Sequence, residues 1–292
     1  MSEPRHLPSA FSTPDDWRPI LELCRDAGAV ILQHYGDAEL AGRLRTKDDD
    51  SPLTRADLAS HALLRDGLAA LEPRLPLLSE ESDAGAIAAR RQWPRFWMVD
   101  PLDGTREFLE RTGEFSVNVA LIDAQRPLAG LIYEPMTGEA SLGIVGAGAW
   151  RCRPAAGTWT FDALRTRSLR GRELVVLASR RHRNPRLEST LDYLGETHSI
   201  ERRNSGSALK FADLARGDGD LYPRFSPCSE WDVAAGDALV TAAGGAVMGL
   251  DGEPLCYNGR ESLLNPPFLA VGDPSSSLWH GLLQRLRATG AG

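Results

Sequence analysis

Apolar and polar positions alternate along the chain in blocks whose period changes from segment to segment. Thr13-Pro14-Asp15-Asp16 offers an N-cap hydroxyl, a proline at the first helical position and acids in the first turn. Ile20, Leu21, Cys24, Ala27, Ile31 and Tyr35 then recur at helical spacing up to Gly36, which predicts an amphipathic helix. RLRTKDDDSP reads as a polar hairpin. After it, Thr54-Arg55-Ala56-Asp57 forms a capping box with Asp in place of the usual Glu or Gln, and LASHALLRDGLAALE keeps the helical period until Pro73. Two strand-like runs, PLLSEES and RFWMVD, flank an Ala-rich helical insert at residues 83–91. Phe115, Val117, Val119 and Leu121 alternate as one face of a strand, and PLAGLIYEPMTGEASLGIVGAGAWRC continues as antiparallel strands with Pro and Gly turns. From about residue 160 the rhythm becomes α/β: ELVVLAS as a strand, SALKFADLARG as a short helix, DLYPRF as a strand and WDVAAGDALVTAAGG as a helix closed by glycines. The expected division is therefore an α+β subdomain over residues 1–158 and an α/β subdomain over 159–292, packed as one unit because no low-complexity linker separates them.

Composition narrows the function. The chain has 292 residues, 42% hydrophobic and 25% charged, enough for a substantial core. A net charge of −7 argues against an open surface for a nucleic-acid polymer, which relies on clustered Lys and Arg. Cys24, Cys152, Cys228 and Cys256 are scattered with no CxxC pair, so reduced cytoplasmic thiols are expected rather than a zinc ribbon or a disulfide scaffold. The N-terminus lacks a basic segment followed by an apolar one, and no apolar run approaches the ~18 residues that span a bilayer. Peripheral attachment at the inner face of the membrane stays open, since it needs only a surface patch.

Candidate chemistry concentrates in DPLDGT, residues 100–105, directly after the apolar FWMV. Asp, Pro and Gly are common in turns for backbone reasons alone. Two carboxylates at the end of a buried strand are nevertheless costly without a positive partner, and a divalent cation is such a partner. Asp100, the carbonyl of Leu102 and Asp103 would present three oxygens within four residues. Gly104 and Thr105 could turn backbone amides toward a phosphate if a helix begins at Thr105, as TREFLER permits. A second acidic group, Glu80, Glu81 and Asp83, follows another apolar strand end, so one of the three is expected to face the same cleft. Asp232 opens a helix, where the helix dipole alone favours an acid, and Asp57 is the N3 member of its capping box.

In this order and at these separations, SEES, WMVDPLDGTREFL and WDVAAGDALVTAAGG resemble the signatures of the inositol monophosphatase superfamily of Mg2+-dependent, lithium-sensitive phosphatases, over about residues 20–270. KDDDSPLTRAD, DGTREFLERTGEFSVNVALI, GSALKFADLARGDGDLYPRF and SEWDVAAGD are similar in particular to its CysQ-type 3'(2'),5'-bisphosphate nucleotidases. The resemblance implies a layered αβαβα sugar-phosphatase fold and hydrolysis of 3'(2')-phosphoadenosine 5'-phosphate to AMP by an activated water. It implies one Mg2+ held by Glu80, Asp100 and the Leu102 carbonyl, and a second shared by Asp100 with Asp103 and Asp232. Thr105, hydrogen-bonded to Asp57, would orient the attacking water while the Gly104 and Thr105 amides grip phosphate. By the same analogy His182, Ser207, Lys210 and Arg224 would meet the nucleotide, alongside Glu80, Leu102, Asp103 and Asp232 at the phosphate. Two Mg2+ ions are implied, or three if an aspartate of KDDDSP helps a weaker third site, and the protein would be a monomer or homodimer acting on a small-molecule substrate.

Two rival readings use the same motifs. The haloacid dehalogenase signature DxDGT also contains DGT, but it needs a nucleophilic aspartate two residues before the DGT aspartate. Pro101 stands there and cannot attack phosphorus. An inositol or sugar monophosphatase would share the ligand set and differ in its pocket. A non-enzymatic phosphate- or metal-sensing protein would be signalled by a broken ligand set, and neither Asp103 nor Thr105 is replaced.

Overall fold

The computed structural model describes residues 11–36, 45–46, 52–179 and 184–289. A short 3-10 turn, Pro14–Trp17, is capped by Thr13 and Asp16 and leads into α1, Arg18–Gly36. The polar hairpin is the antiparallel pair β1, Arg45–Thr46, and β2, Pro52–Leu53. It hands over to α2, Arg55–Ala69, where the Thr54/Asp57 capping box is formed in both directions. Next come β3, Leu77–Ser79, α3, Ala84–Ala89, and β4, Arg95–Asp103, then α4, Thr105–Leu109. The strands β5, Ser116–Asp123, β6, Arg126–Glu134, β7, Glu139–Ile144, β8, Gly148–Ala155, and β9, Thr158–Leu164, follow as a meander. Among the described residues β3 to β9 form one seven-stranded sheet in chain order, with β3 parallel to β4 and the later pairs antiparallel.

The remainder supplies β10, Glu173–Ala178, α5, Pro185–Gly195, β11, Ser199–Asn204, α6, Leu209–Ala215, and β12, Leu221–Arg224. It closes with α7, Trp231–Ala242, β13, Ala246–Gly249, β14, Phe268–Val271, and α8, Leu278–Thr289. Its five strands pair in the order β11-β10-β12-β14-β13, parallel among β11, β10 and β12 and antiparallel beyond.

Three apolar clusters explain the layering. Ile20, Leu21 and Ile31 of α1 and Leu64 and Leu68 of α2 cover one face of the first sheet at Trp97, Val99, Val117 and Val119. The opposite face, with Met98, Ala120 and Ile122, meets Phe211 of α6 and Val233 and Leu239 of α7, which also lie on Tyr222 and Phe268 of the second sheet. Trp279 and Leu282 of α8, with Leu194 of α5, cover Leu174, Val176 and Leu221 on the outer side. The result is the expected αβαβα stack. No described helix is long and apolar enough to cross a membrane.

Because helices cover both faces of the first sheet, β5 is buried at Ser116 through Ile122 rather than on alternate residues, so polar side chains of its second face point into protein. The expected boundary between residues 158 and 159 falls inside β9, which completes the first sheet and runs on to Leu164. DPLD is not a free turn: β4 continues through it to Asp103, with the pairing to β5 slipping between Asp100 and Asp103. Small residues let α7 approach closely. Gly130 and Gly143 are cross-strand partners, and a Cβ on either would stand 2.3 Å from the Ala235 carbonyl oxygen or the Leu239 Cα of α7. A side chain at either position would lift α7 off the sheet, and Asp232 with it.

Candidate active site

The site forms where β3, β4 and the N-terminal ends of α2, α4 and α7 converge. The pairing Asp100↔Asn118 gives way to Asp103↔Ser116, a bulge that brings two carboxylates three residues apart to the same end of the strand. Asp232 arrives from the first turn of α7. Carboxylate oxygens of Asp100, Asp103 and Asp232 all lie within 4.8 Å of one another. Asp100 is buried, and its Oδ1 accepts the Leu102 amide at 3.1 Å. Asp232 Oδ2 accepts the Ser229 amide at 2.9 Å.

Asp103 is the most firmly held of the three. Its Oδ2 accepts from Asn118 Nδ2 at 3.2 Å, Ser207 Oγ at 2.8 Å and the Ala208 amide at 2.6 Å. Ser116 Oγ lies 2.6 Å from Ser207 Oγ and donates to Asn118 Oδ1 at 2.9 Å. The Ser207 hydroxyl, expected to meet the nucleotide, is thus committed to Asp103, and the link ties β5 to the segment entering α6.

Asp57 is buried at the third position of α2. One of its oxygens accepts the Thr54 amide at 2.9 Å, and the other accepts the Thr105 hydroxyl at 3.2 Å. Capping and the contact to Thr105 therefore use different oxygens of one carboxylate. The Thr105 hydroxyl also lies 3.2 Å from the Leu102 carbonyl oxygen. Gly104 precedes α4 at φ 89°, and a Cβ there would sit 2.9 Å from the Glu114 carbonyl oxygen, so glycine is required by both conformation and space. The amides at the start of α4 have no intrahelical acceptor.

Of the second acidic group, Glu80 is the member at the cleft. It is not one of the three clustered carboxylates, but its charge raises the pKa of both Asp100 and Asp232. Asp83 instead caps α3 by accepting the Ala86 amide at 2.8 Å. Burial, then repulsion from Glu80, Asp103 and Asp232, lifts the Asp100 carboxyl well above the usual range. Asp232 keeps some surface on the cleft, yet the protein around it and the charges of Asp103 and Glu80 push it up to about 8.

Beside the carboxylates lies a cavity of about 300 Å3, lined among others by Gly104, Ser207, Lys210, Tyr222, Arg224 and Cys228. Lys210 is buried, donates to the carbonyls of Ser205 at 3.0 Å and Ser207 at 2.6 Å, and sits 5.3 Å from the Tyr222 ring centre. Burial lowers its pKa to about 8. Arg224 donates to the carbonyls of Ser226 and Pro227, both at 3.2 Å. His182 and the aspartates of KDDDSP lie outside the described residues.

A family model for the inositol monophosphatase family matches residues 16–285. The chain belongs to the inositol monophosphatase family. It is 42% identical over 251 residues to the 3'(2'),5'-bisphosphate nucleotidase CysQ of Escherichia coli, covering 85% of this chain and 96% of that one. The protein of the same name from Haemophilus influenzae is 33% identical over 271 residues, covering 91% and 95%. Among solved structures, CysQ from Bacteroides thetaiotaomicron superposes with a TM-score of 0.76 at 36% identity, covering 87% of this chain and 96% of that one. An inositol monophosphatase of Thermotoga maritima, 19% identical and covering 92% and 97%, shares the fold with a TM-score of 0.72.

Membership of this metal-dependent family calls for a cation at the carboxylates, and the donor set fits one. Asp100, Asp103 and Asp232 are hard oxygen donors, the kind that Mg2+ takes. Asp100 and Asp232, whose proton affinity is raised by burial and by the neighbouring carboxylates, are short of positive charge, which a divalent ion would supply. Ser116 and Asn118, which brace Asp103 in this member of the family, were not singled out from the sequence. Their signal was present in SVNV, as polar residues at every second position of an apolar strand. Glu230 was also missed. It is fully buried beside Asp232, accepts the Asn258 amide and the Arg260 guanidinium at 2.5 and 3.0 Å, and so anchors the start of α7. Its partners are about 30 residues away in sequence, so no local pattern announced them.

Proposed function

We propose that the protein is a Mg2+-dependent 3'(2'),5'-bisphosphate nucleotidase, converting 3'(2')-phosphoadenosine 5'-phosphate and water to AMP and phosphate. The observation that carries this reading is the convergence of Asp100, Asp103 and Asp232 beside a cavity lined by cations, in a chain similar to CysQ over nearly that protein's whole length. Glu80, Asp100 and the Leu102 carbonyl would hold one Mg2+, and Asp100, Asp103 and Asp232 a second. When bound, these ions supply charge neutralisation of the phosphoryl group and acidify water.

The chain's own residues supply position. With its proton directed to Asp57, Thr105 Oγ keeps a lone pair to accept a hydrogen bond from the attacking water and hold it in line. The Gly104 and Thr105 amides stabilise the phosphoryl oxygens as charge shifts onto them. Water adds to phosphorus, the ribose ester bond breaks, and the departing ribose oxygen takes up a proton. No side chain is phosphorylated. Lys210 and Arg224 give the cavity the positive charge that a nucleotide phosphate needs. The four unpaired cysteines suit a reducing compartment, and we place the enzyme in the cytoplasm.

Purified protein with Mg2+ is expected to release one phosphate per 3'-phosphoadenosine 5'-phosphate and leave AMP, with inhibition by Li+ and by excess Ca2+. Phosphate assay and chromatography of the nucleotide product check this. Adenosine 3'-phosphate as product, or release that persists in a chelator, would overturn the reading.

A further inference from the structure

The cavity beside the carboxylates is lined by three cations among the described residues, and they differ in what their nitrogens already do. Lys210 spends two of its three donors on the Ser205 and Ser207 carbonyls, and Glu107 lies within electrostatic reach of its ammonium. Arg224 spends its Nε and one terminal nitrogen on the carbonyls of Ser226 and Pro227. Both therefore serve first to fix loops. Arg106 also lines the cavity, yet its guanidinium makes no hydrogen bond or ion pair among the described residues. An exposed arginine on the rim of a substrate cavity, with no described residue taking its donors, can take a ligand.

Position limits what that ligand is. Arg106 follows Thr105 directly on α4, so its Cα lies about 3.8 Å from the Cα of the residue whose amide, in the nucleotidase reading, would face the phosphate to be cleaved. Its side chain lines the same cavity as Asp103 and Gly104, so it can meet a ligand group beyond that phosphate. In a 3',5'-bisphosphate the second phosphate is held about one ribose width from the first. A guanidinium is the side chain best matched to a phosphate, through paired N–H···O bonds.

We propose that Arg106 selects bisphosphate over monophosphate substrates by binding the phosphate that is not cleaved. The assignment rests on the nucleotidase reading above. Lys210 and Arg224 shape the cavity and contribute charge, and Arg106 does the counting of phosphates.

The test compares specificity constants for 3'-phosphoadenosine 5'-phosphate and adenosine 3'-monophosphate in the wild type, Arg106→Gln and Arg106→Lys. Arg106→Gln is expected to reduce the ratio of the two constants by about tenfold or more, as expected for losing hydrogen bonds to a charged group, with the change carried by KM for the bisphosphate. Arg106→Lys recovers part of the ratio by restoring charge without the paired geometry. If both constants fall by the same factor, or neither moves, Arg106 does not read the second phosphate. Failure of the wild type to hydrolyse either nucleotide would overturn the nucleotidase reading, and this assignment with it, so the two failures are told apart. Thermal melts of the variants should match the wild type, because the side chain has no partner among the described residues to lose.

Discussion

Asp103→Asn is expected to lower Mg2+-dependent phosphate release by roughly a thousandfold, the scale on which removal of one preorganised electrostatic contact acts. The substitution changes charge with little change in shape. Oδ2 of Asp103 receives all three local donors, from Asn118, Ser207 and Ala208, and the amide oxygen of an asparagine can receive the same three. The new NH2 group would then face Asp100 and Asp232, where it donates well to carboxylates and poorly tolerates a cation. Removal of a negative charge from the cluster also relieves the repulsion that raises the Asp100 and Asp232 pKa values. Stability of the metal-free variant should therefore equal or exceed that of the wild type. Steady-state turnover with a thermal melt in chelator checks both halves. Near-wild-type turnover would remove Asp103 from the site, and a large drop in melting temperature would reassign it to the scaffold.

Without divalent cations the protein is expected to lose stability as pH rises from about 4 toward about 8, and Mg2+ should restore it. Asp232 ionises near 3.8 when unfolded and at about 8 in the folded chain, with Asp100 shifted in the same direction. Between those values the folded state holds protons that the unfolded state has released, so stability is full below the lower value and falls as pH climbs through the upper one. The loss is on the order of a few kcal/mol. Asp213 and Asp237, each raised by burial to about 6, and Glu230, raised by burial to about 7, add slopes of the same sign. Those groups are not among the proposed ligands, so their contribution cancels when curves with chelator and with Mg2+ are subtracted. Urea midpoints measured across this range should diverge with rising pH, and Asp232→Asn should shrink the divergence. Parallel curves would mean that the carboxylates bind no cation.

Much of this arrangement could be read from local pattern. The capping box at Thr54 and Asp57, the strand FWMV and the helix WDVAAGDALVTAAGG are each written in a short window; the first and last each place one acidic residue near the cleft, and the strand places two, Asp100 and Asp103. Other features depend on residues distant in sequence. SVNVALID showed its apolar face, but the burial of Ser116 and Asn118 follows from α6 and α7 covering the second face, which no strand period reveals. The polar edge strand SIERRN carries no alternation of apolar residues and escaped notice. The family resemblance puts Ser207 among the nucleotide contacts, whereas its hydroxyl bonds to Asp103, across 104 residues of chain. Arg106 lies inside the DGTREFL stretch, where no local pattern sets it apart, and the proposal for it depends on Lys210 and Arg224 donating to backbone carbonyls far from that stretch in sequence.

The most direct test of the central claim is a side-by-side measurement of kcat/KM with Mg2+ for 3'-phosphoadenosine 5'-phosphate, inositol 1-phosphate and fructose 1,6-bisphosphate. A clear preference for the adenosine bisphosphate is predicted. A far higher constant for inositol 1-phosphate or fructose 1,6-bisphosphate would contradict the nucleotidase assignment while leaving the family and the fold in place.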